Sequence, residues 1–130
     1  MIKNISNIIK TIALVAIVFS CTNITDTTQE SEKAELAILQ EGIMQLIATG
    51  TCTQNTHCDF IAFGSKPCGG AWSYLVFNTT INVALLKEKV ATYNKNETAY
   101  NLKWSVVSDC MAVAPPTSVQ CVDGDCVAIY

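Results

Sequence analysis

Hydrophobic and polar positions occur in separate blocks along this chain, and the first block is an uncharged, mostly apolar run. Residues 11–20 follow two lysines, Lys3 and Lys10, and the chain turns polar directly after Cys21. A basic start, a short apolar run and a processing site are typical of an export signal. The run between Lys10 and Cys21 is too short to span a bilayer, which takes about 20 apolar residues.

Two later stretches repeat apolar residues at the three- and four-residue steps of an amphipathic helix. The first helix is predicted to begin near Thr27 or Ser31 and the second after possible caps at residues 78–80, with its end fraying beyond Asn94. The apolar positions are Leu36, Leu39, Ile43, Leu46 and Ile47 in the first helix, and Val83, Leu86, Val90 and Tyr93 in the second.

Shorter apolar blocks between turn-forming residues predict strands. Residues 59–63 and 71–77 flank the Gly- and Pro-rich stretch 64–70, which predicts a hairpin with a long loop. Residues 106–114 predict another strand, and residues 117–130 a terminal hairpin. The fold class is therefore α+β, with two amphipathic helices packed on one small antiparallel sheet of four or five strands and stapled by disulfides.

The end of the N-terminal segment resembles a known targeting motif. Residues Val18, Phe19, Ser20 and Cys21 are similar to the lipobox of bacterial lipoprotein precursors, although Phe19 is bulkier than usual at its position. The resemblance covers about one-sixth of the chain. It implies that Cys21 is acylated and becomes the first residue of a lipoprotein in the bacterial cell envelope, and two or three acyl chains hold a domain firmly.

This organisation divides the chain into a signal peptide at residues 1–20, a flexible tether at 21–31 and a single small domain at 32–130. The net charge is −3, and loss of Lys3 and Lys10 with the signal leaves −5 on a mature part without arginine. Phosphate neutralisation needs clustered cations, so nucleic acid is not an expected partner. The expected contacts are the membrane, through the lipid, and an envelope protein or small ligand.

The seven cysteines indicate an oxidising compartment. Acylation of Cys21 leaves six, an even number. Asp123 and Gly124 predict a two-residue type I′ turn that places Cys121 opposite Cys126, which predicts a disulfide between them. The other four cysteines allow three pairings. Because short loops close more easily, the favoured pairing joins Cys52 to Cys58 and Cys68 to Cys110. These four are Cys52, Cys58, Cys68 and Cys110.

Motifs for metal binding or catalysis are weak in this sequence. The spacing of Cys52, His57, Cys58 and Cys68 is not the Cys-x-x-Cys arrangement of zinc sites, so we expect no metal and no cofactor. The carboxylates show no pairing pattern that would predict a hydrolase, and catalysis is left open with a non-catalytic role favoured.

The loop at residues 64–70 is the most individual part of the predicted domain. Lys66 and Pro67 lie within it and Trp72 and Tyr74 follow it, which makes these four residues a candidate binding loop. The leading hypothesis is a lipid-anchored envelope protein that binds a protein or small ligand. One alternative is an inhibitor of a secreted proteinase or other hydrolase that presents Lys66, although the Lys66–Pro67 bond is a poor proteinase substrate. The other is an unrecognised envelope enzyme.

Overall fold

The computed structural model describes residues 27–130, and the α+β class is confirmed there. The export signal, Cys21 and the first part of the tether lie outside the described residues. Within residues 27–130, two α-helices pack with two separate two-stranded antiparallel sheets, rather than with a single sheet of four or five strands. The elements are α1 (Gln29–Ile47), a short 3-10 helix (Asn55–His57), β1 (Cys58–Phe63), β2 (Ser73–Asn78), α2 (Val83–Lys103), β3 (Ser118–Val122) and β4 (Asp125–Ile129).

Helix α1 begins directly after its N-cap, Thr28. The Thr28 hydroxyl accepts a hydrogen bond from the Ser31 backbone N–H at 3.2 Å, and the Ser31 hydroxyl donates to the Thr28 carbonyl at 2.8 Å. Capping of an otherwise unpaired N–H explains the start. The helix therefore includes residues 29–31, which the sequence had placed in the tether.

Strands β1 and β2 form the predicted hairpin around the loop at residues 64–70. Their inward side chains, Phe63 and Phe77, are almost completely buried and pack with Leu86 and Val90 of α2. Ile43 of α1 closes the same core. The hydrophobic core thus lies between the two helices and one face of this hairpin.

Helix α2 starts and ends later than its sequence predicted. Its N-cap is Asn82, whose side chain accepts from the Leu85 N–H at 3.0 Å; Asn78, a predicted cap, instead accepts from the Thr80 N–H in the preceding turn. The helix continues through the polar stretch after Asn94 to Lys103. Tertiary contacts of this stretch, described below, outweigh its modest helix propensity.

The segment between α2 and β3 contains no strand, so the prediction of a strand at residues 106–114 is wrong. No neighbouring strand pairs with it in the described part of the chain. It is held instead by the Cys68–Cys110 disulfide and by Lys66. An extended apolar sequence without a partner for its backbone groups does not form a ladder.

The C-terminal hairpin, β3 and β4, has the predicted turn and register. Asp123 and Gly124 have φ values of 53° and 93°, and Cys121 lies opposite Cys126. The predicted disulfide between those two cysteines is nevertheless wrong. Cys121 is bonded to Cys52, and Cys126 to Cys58.

The physical reason for this exchange of partners lies in how the hairpin packs. Paired residues on opposite strands project from the same face of a sheet. In this hairpin that face lies against the start of β1, where Cys52 and Cys58 are buried and within bonding distance. The proposed Cys52–Cys58 disulfide is therefore also wrong, whereas Cys68–Cys110 is confirmed.

Candidate functional site

Three side chains of α2 hold the backbone of the loop at residues 64–70. The Gly64 N–H donates to Asn94 Oδ1 at 2.8 Å, and the Ser65 N–H donates to Glu97 Oε2 at 2.5 Å. Asn101 Nδ2 donates to the Ser65 carbonyl at 2.7 Å. The spacing of these three helix residues places them on one face of α2. The glycine-rich loop is thus built against the helix rather than projecting from the domain.

Lys66 is buried, with a relative exposure of 7%. Its Nζ donates to Asp109 Oδ1 and to the Met111 carbonyl, both at 2.8 Å, and lies 5.0 Å from the centroid of the Trp72 ring. This ammonium group holds the pKa of Asp109 below its usual range. The loop therefore does not present the Lys66 side chain to solvent, because that side chain is already bound inside the domain.

The other residues of the candidate binding loop are not brought together. Pro67 is exposed in the loop. Tyr74 packs edge-to-face on Phe60, with ring centroids 5.8 Å apart, in the β1–β2 hairpin. Trp72 instead contributes to a cavity beside the helices. Of the four predicted residues, Lys66 lies next to Pro67 in the sequence and has its Nζ 5.0 Å from the centroid of the Trp72 ring.

This interhelical cavity has a volume of about 420 Å³ and lies between α1 and α2. Ligand sites for small molecules commonly have this size and combine aromatic walls with a few polar groups. Its aromatic walls are Trp72, Tyr93 and Tyr100; its polar groups are Gln29, Lys33, Gln40, Glu97 and Asn101; and its aliphatic residues are Leu36, Ala37 and Val106.

Glu97 is the carboxylate that lines the cavity. Burial raises the pKa of its carboxyl, while the hydrogen bond from the Ser65 N–H acts in the opposite direction. The Tyr93 hydroxyl donates to Glu97 Oε1 over a long 3.4 Å. Burial and the neighbouring carboxyl raise the pKa of Tyr93 to about 12, so its hydroxyl remains a donor. Glu97 Oε1 is therefore weakly occupied and available as an acceptor.

Gly64 allows Trp72 to take its position at the cavity. A Cβ at residue 64 would lie 2.6 Å from Trp72 Cδ1 and 3.1 Å from Glu97 Oε2. The backbone of Gly64 also has a φ of 82°, which side chains rarely tolerate. The loop, the indole and the carboxylate therefore pack as one unit that requires glycine.

The comparisons with known proteins leave function to be argued from this geometry. No known protein family, curated protein or solved structure matches this chain. The interhelical cavity was not predicted, because the helix was expected to fray before Glu97 and Tyr100. Extension of the three- and four-residue spacing past Tyr93 to Glu97, Tyr100 and Asn101 was the signal that could have identified it.

The cysteines form a second cluster, at the opposite end of β1. The sulfur atoms of Cys52, Cys58 and Cys126 lie within 4.8 Å of one another. All three belong to disulfides, and metal ligation requires thiolates. The imidazole of His57 lies 2.9 Å from Gln54 Nε2 and 3.4 Å from Thr53 Oγ1. The cluster in this state braces the C-terminal hairpin against the start of β1.

Proposed function

We propose that this protein is a lipid-anchored binding protein of the bacterial cell envelope, without catalytic activity, that holds a small neutral ligand in the interhelical cavity. The observation that carries the proposal is the combination of three aromatic walls with the weakly occupied carboxyl oxygen of Glu97. The export signal and the lipobox-like end at Cys21 support the location. Three disulfides are typical of an oxidising compartment and agree with it.

The charges around the cavity favour a neutral ligand. A cationic ligand would meet Lys33 on the wall and Lys66 beside Trp72. An anionic ligand would meet Glu97, whose raised pKa already reflects the cost of a charge at this buried position. Glu97 supplies acceptors, and Asn101 and Gln29 supply both donors and acceptors. A neutral ring with hydroxyl groups on its edge and an apolar face, such as a sugar, matches this set.

The chain contains two tryptophans, which allows a test with an internal control. Trp72 lines the cavity, whereas Trp104 donates its Nε1 hydrogen to Glu32 Oε2 at 2.7 Å outside it. We expect neutral mono- and disaccharides to change the intrinsic fluorescence of the protein and of the Trp104→Phe variant. The Trp72→Phe variant should not respond, although it retains a fluorophore.

Thermal denaturation with the same sugars provides a second measurement, because a ligand that binds the folded state raises the melting temperature with concentration. A response to free amino acids but not to sugars would contradict the neutral-ligand assignment and favour a zwitterion between Lys33 and Glu97. If neither probe class changes fluorescence or melting temperature, the cavity is not a small-molecule site and the proposed function is wrong.

The anchor is tested separately from the cavity. The mature protein should lack residues 1–20 and carry acyl mass on Cys21, and a Cys21→Ser variant should leave the membrane fraction. Intact-mass measurement and cell fractionation check both points. A Cys21→Ser protein that remains membrane-bound would contradict anchoring through this residue.

A further inference from the structure

Three apolar side chains near the end of α2 are unusually exposed. Val107, Leu102 and Met111 have relative exposures of 89%, 77% and 73%, the highest of the large apolar residues in the described part of the chain. Leu102 lies in the last turn of α2, and the other two lie in the segment that follows it. We call these three residues the apolar end patch.

The segment that carries two of these side chains is firmly braced. Between them, Cys110 is bonded to Cys68, and Asp109 accepts a hydrogen bond from the buried Lys66. The carbonyl of Met111 accepts a second bond from the same ammonium group. Exposure of the patch therefore does not arise from a loosely attached backbone. The only carboxylate within this segment, Asp109, is also matched by a positive charge.

The described chain begins at the same end of the domain. Lys103 Nζ donates to Thr27 Oγ1 at 3.3 Å, and Trp104 Nε1 donates to Glu32 of the first turn of α1. Lys103 also forms an ion pair with Glu32. Thr27, near the start of the described chain, thus contacts the last turn of α2, which also carries Leu102.

Chain length limits how the domain can sit on a membrane. Thr27 follows Cys21 by six positions, and a fully extended chain of that length reaches at most about 20 Å. Helix α1, with 19 residues, extends about 28 Å away from this end. The C-terminal turn contacts the chain shortly after the far end of α1, where the Gly124 carbonyl accepts from the Cys52 N–H. Acyl chains on Cys21 therefore place the end with the apolar patch nearest to the lipid.

We propose that the apolar end patch is a membrane contact, with Leu102, Val107 and Met111 entering the boundary between headgroups and acyl chains of the leaflet that holds Cys21. This inference rests on the lipid anchor of the proposed function. Apolar side chains at this depth add affinity in proportion to their buried area. Here the anchor supplies attachment, and the patch fixes the orientation of the domain.

The test uses the mature acylated protein in lipid nanodiscs that contain a gadolinium-chelating lipid. We expect paramagnetic relaxation of the backbone amides to be several-fold stronger at Leu102 and Val107 than at Val122. Val122 is a matched apolar residue, 47% exposed, that lies next to the C-terminal turn. The difference should decrease in a Leu102→Ser/Val107→Ser/Met111→Ser variant, because the tether alone keeps this end near the lipid without fixing the orientation of the domain.

The possible outcomes separate this inference from the anchor itself. Protein that is not acylated or does not enter the nanodiscs contradicts the anchor and, with it, the inference. Anchored protein with equal relaxation at both ends, or stronger relaxation at Val122, contradicts the orientation alone. Unchanged relaxation in the triple serine variant would show that the tether sets the orientation, which contradicts contact through the patch.

Discussion

The two disulfides that join the C-terminal hairpin to the start of β1 should stabilise the protein in a coupled way. Cys52–Cys121 and Cys58–Cys126 have sequence separations of 69 and 68 residues. They run side by side, because Cys58 follows Cys52 by six positions and Cys126 follows Cys121 by five. When one bond is in place, the other closes only a short ring. The stabilisation by each bond therefore depends on the presence of its neighbour.

Chain-entropy arithmetic gives the size of this coupling. With Cys68–Cys110 intact, the shortest path between Cys52 and Cys121 in the unfolded chain runs through that bond and is about 28 residues, so closing it is worth about 3.6 kcal/mol. With that bond formed, the shortest path between Cys58 and Cys126 is about 12 residues, and the second bond adds about 2.8 kcal/mol. Loss of either pair alone should thus lower the free energy of unfolding by about 3 kcal/mol, and loss of both by about 6 kcal/mol.

The assay is urea denaturation without reductant of three variants: Cys52→Ala/Cys121→Ala, Cys58→Ala/Cys126→Ala and their combination. A thiol titration of the unfolded variants is the control, since each should contain no free thiol in the mature domain. If the hairpin cysteines were instead bonded to each other, either double variant would lose both bonds and carry two free thiols. A double variant as unstable as the quadruple variant would therefore refute the connectivity.

Three further predictions concern single residues. Gly64→Ala should lower the free energy of unfolding by at least about 1–2 kcal/mol, because of its positive φ and the contact with Trp72, and denaturation measures this. The raised pKa of Glu97 means that the native state keeps this proton to higher pH than the unfolded chain does, so the free energy of unfolding should fall as pH rises above the ordinary carboxyl pKa of 4.5. The Glu97→Gln variant should not show this fall. Equal pH profiles of the variant and the natural protein would contradict the reasoning. Leu86→Ala, at a completely buried position, should cost about 2–5 kcal/mol in the same assay. The adjacent Leu85→Ala, at a position that is 37% exposed, should cost much less.

Local rules predicted the C-terminal hairpin but not its bonds. The Asp123–Gly124 turn depends on residues that are adjacent in sequence, so the register of the hairpin could be predicted from the sequence. The disulfide partners depend on which face of the hairpin meets β1, a long-range property. Preference for short loops is a weak guide to such a choice, because the closure cost grows only with the logarithm of loop length. The packing of the hairpin against β1 outweighs the small difference in closure cost between short and long loops.

The candidate site was not predicted because the sequence placed the end of α2 too early. The residues after Tyr93 are mostly polar, and polar residues that follow the last apolar position of a helix usually indicate a loop. Here they continue the helix because their partners are the backbone groups of the loop at residues 64–70, which would otherwise be left unpaired near the core. Buried N–H and C=O groups must find partners.

That requirement supplies a usable rule for chains of this kind. A glycine-rich loop beside a core has backbone donors and acceptors, and a neighbouring helix can satisfy them only with polar side chains at three- and four-residue spacing. Asn94, Glu97 and Asn101 have this spacing. The same set of side chains places the Glu97 carboxylate between the loop and the aromatic walls of the cavity, where burial raises its pKa. The candidate site is thus a consequence of how α2 satisfies the backbone of the loop, so substitutions of Asn94, Glu97 or Asn101 should alter folding and ligand binding together.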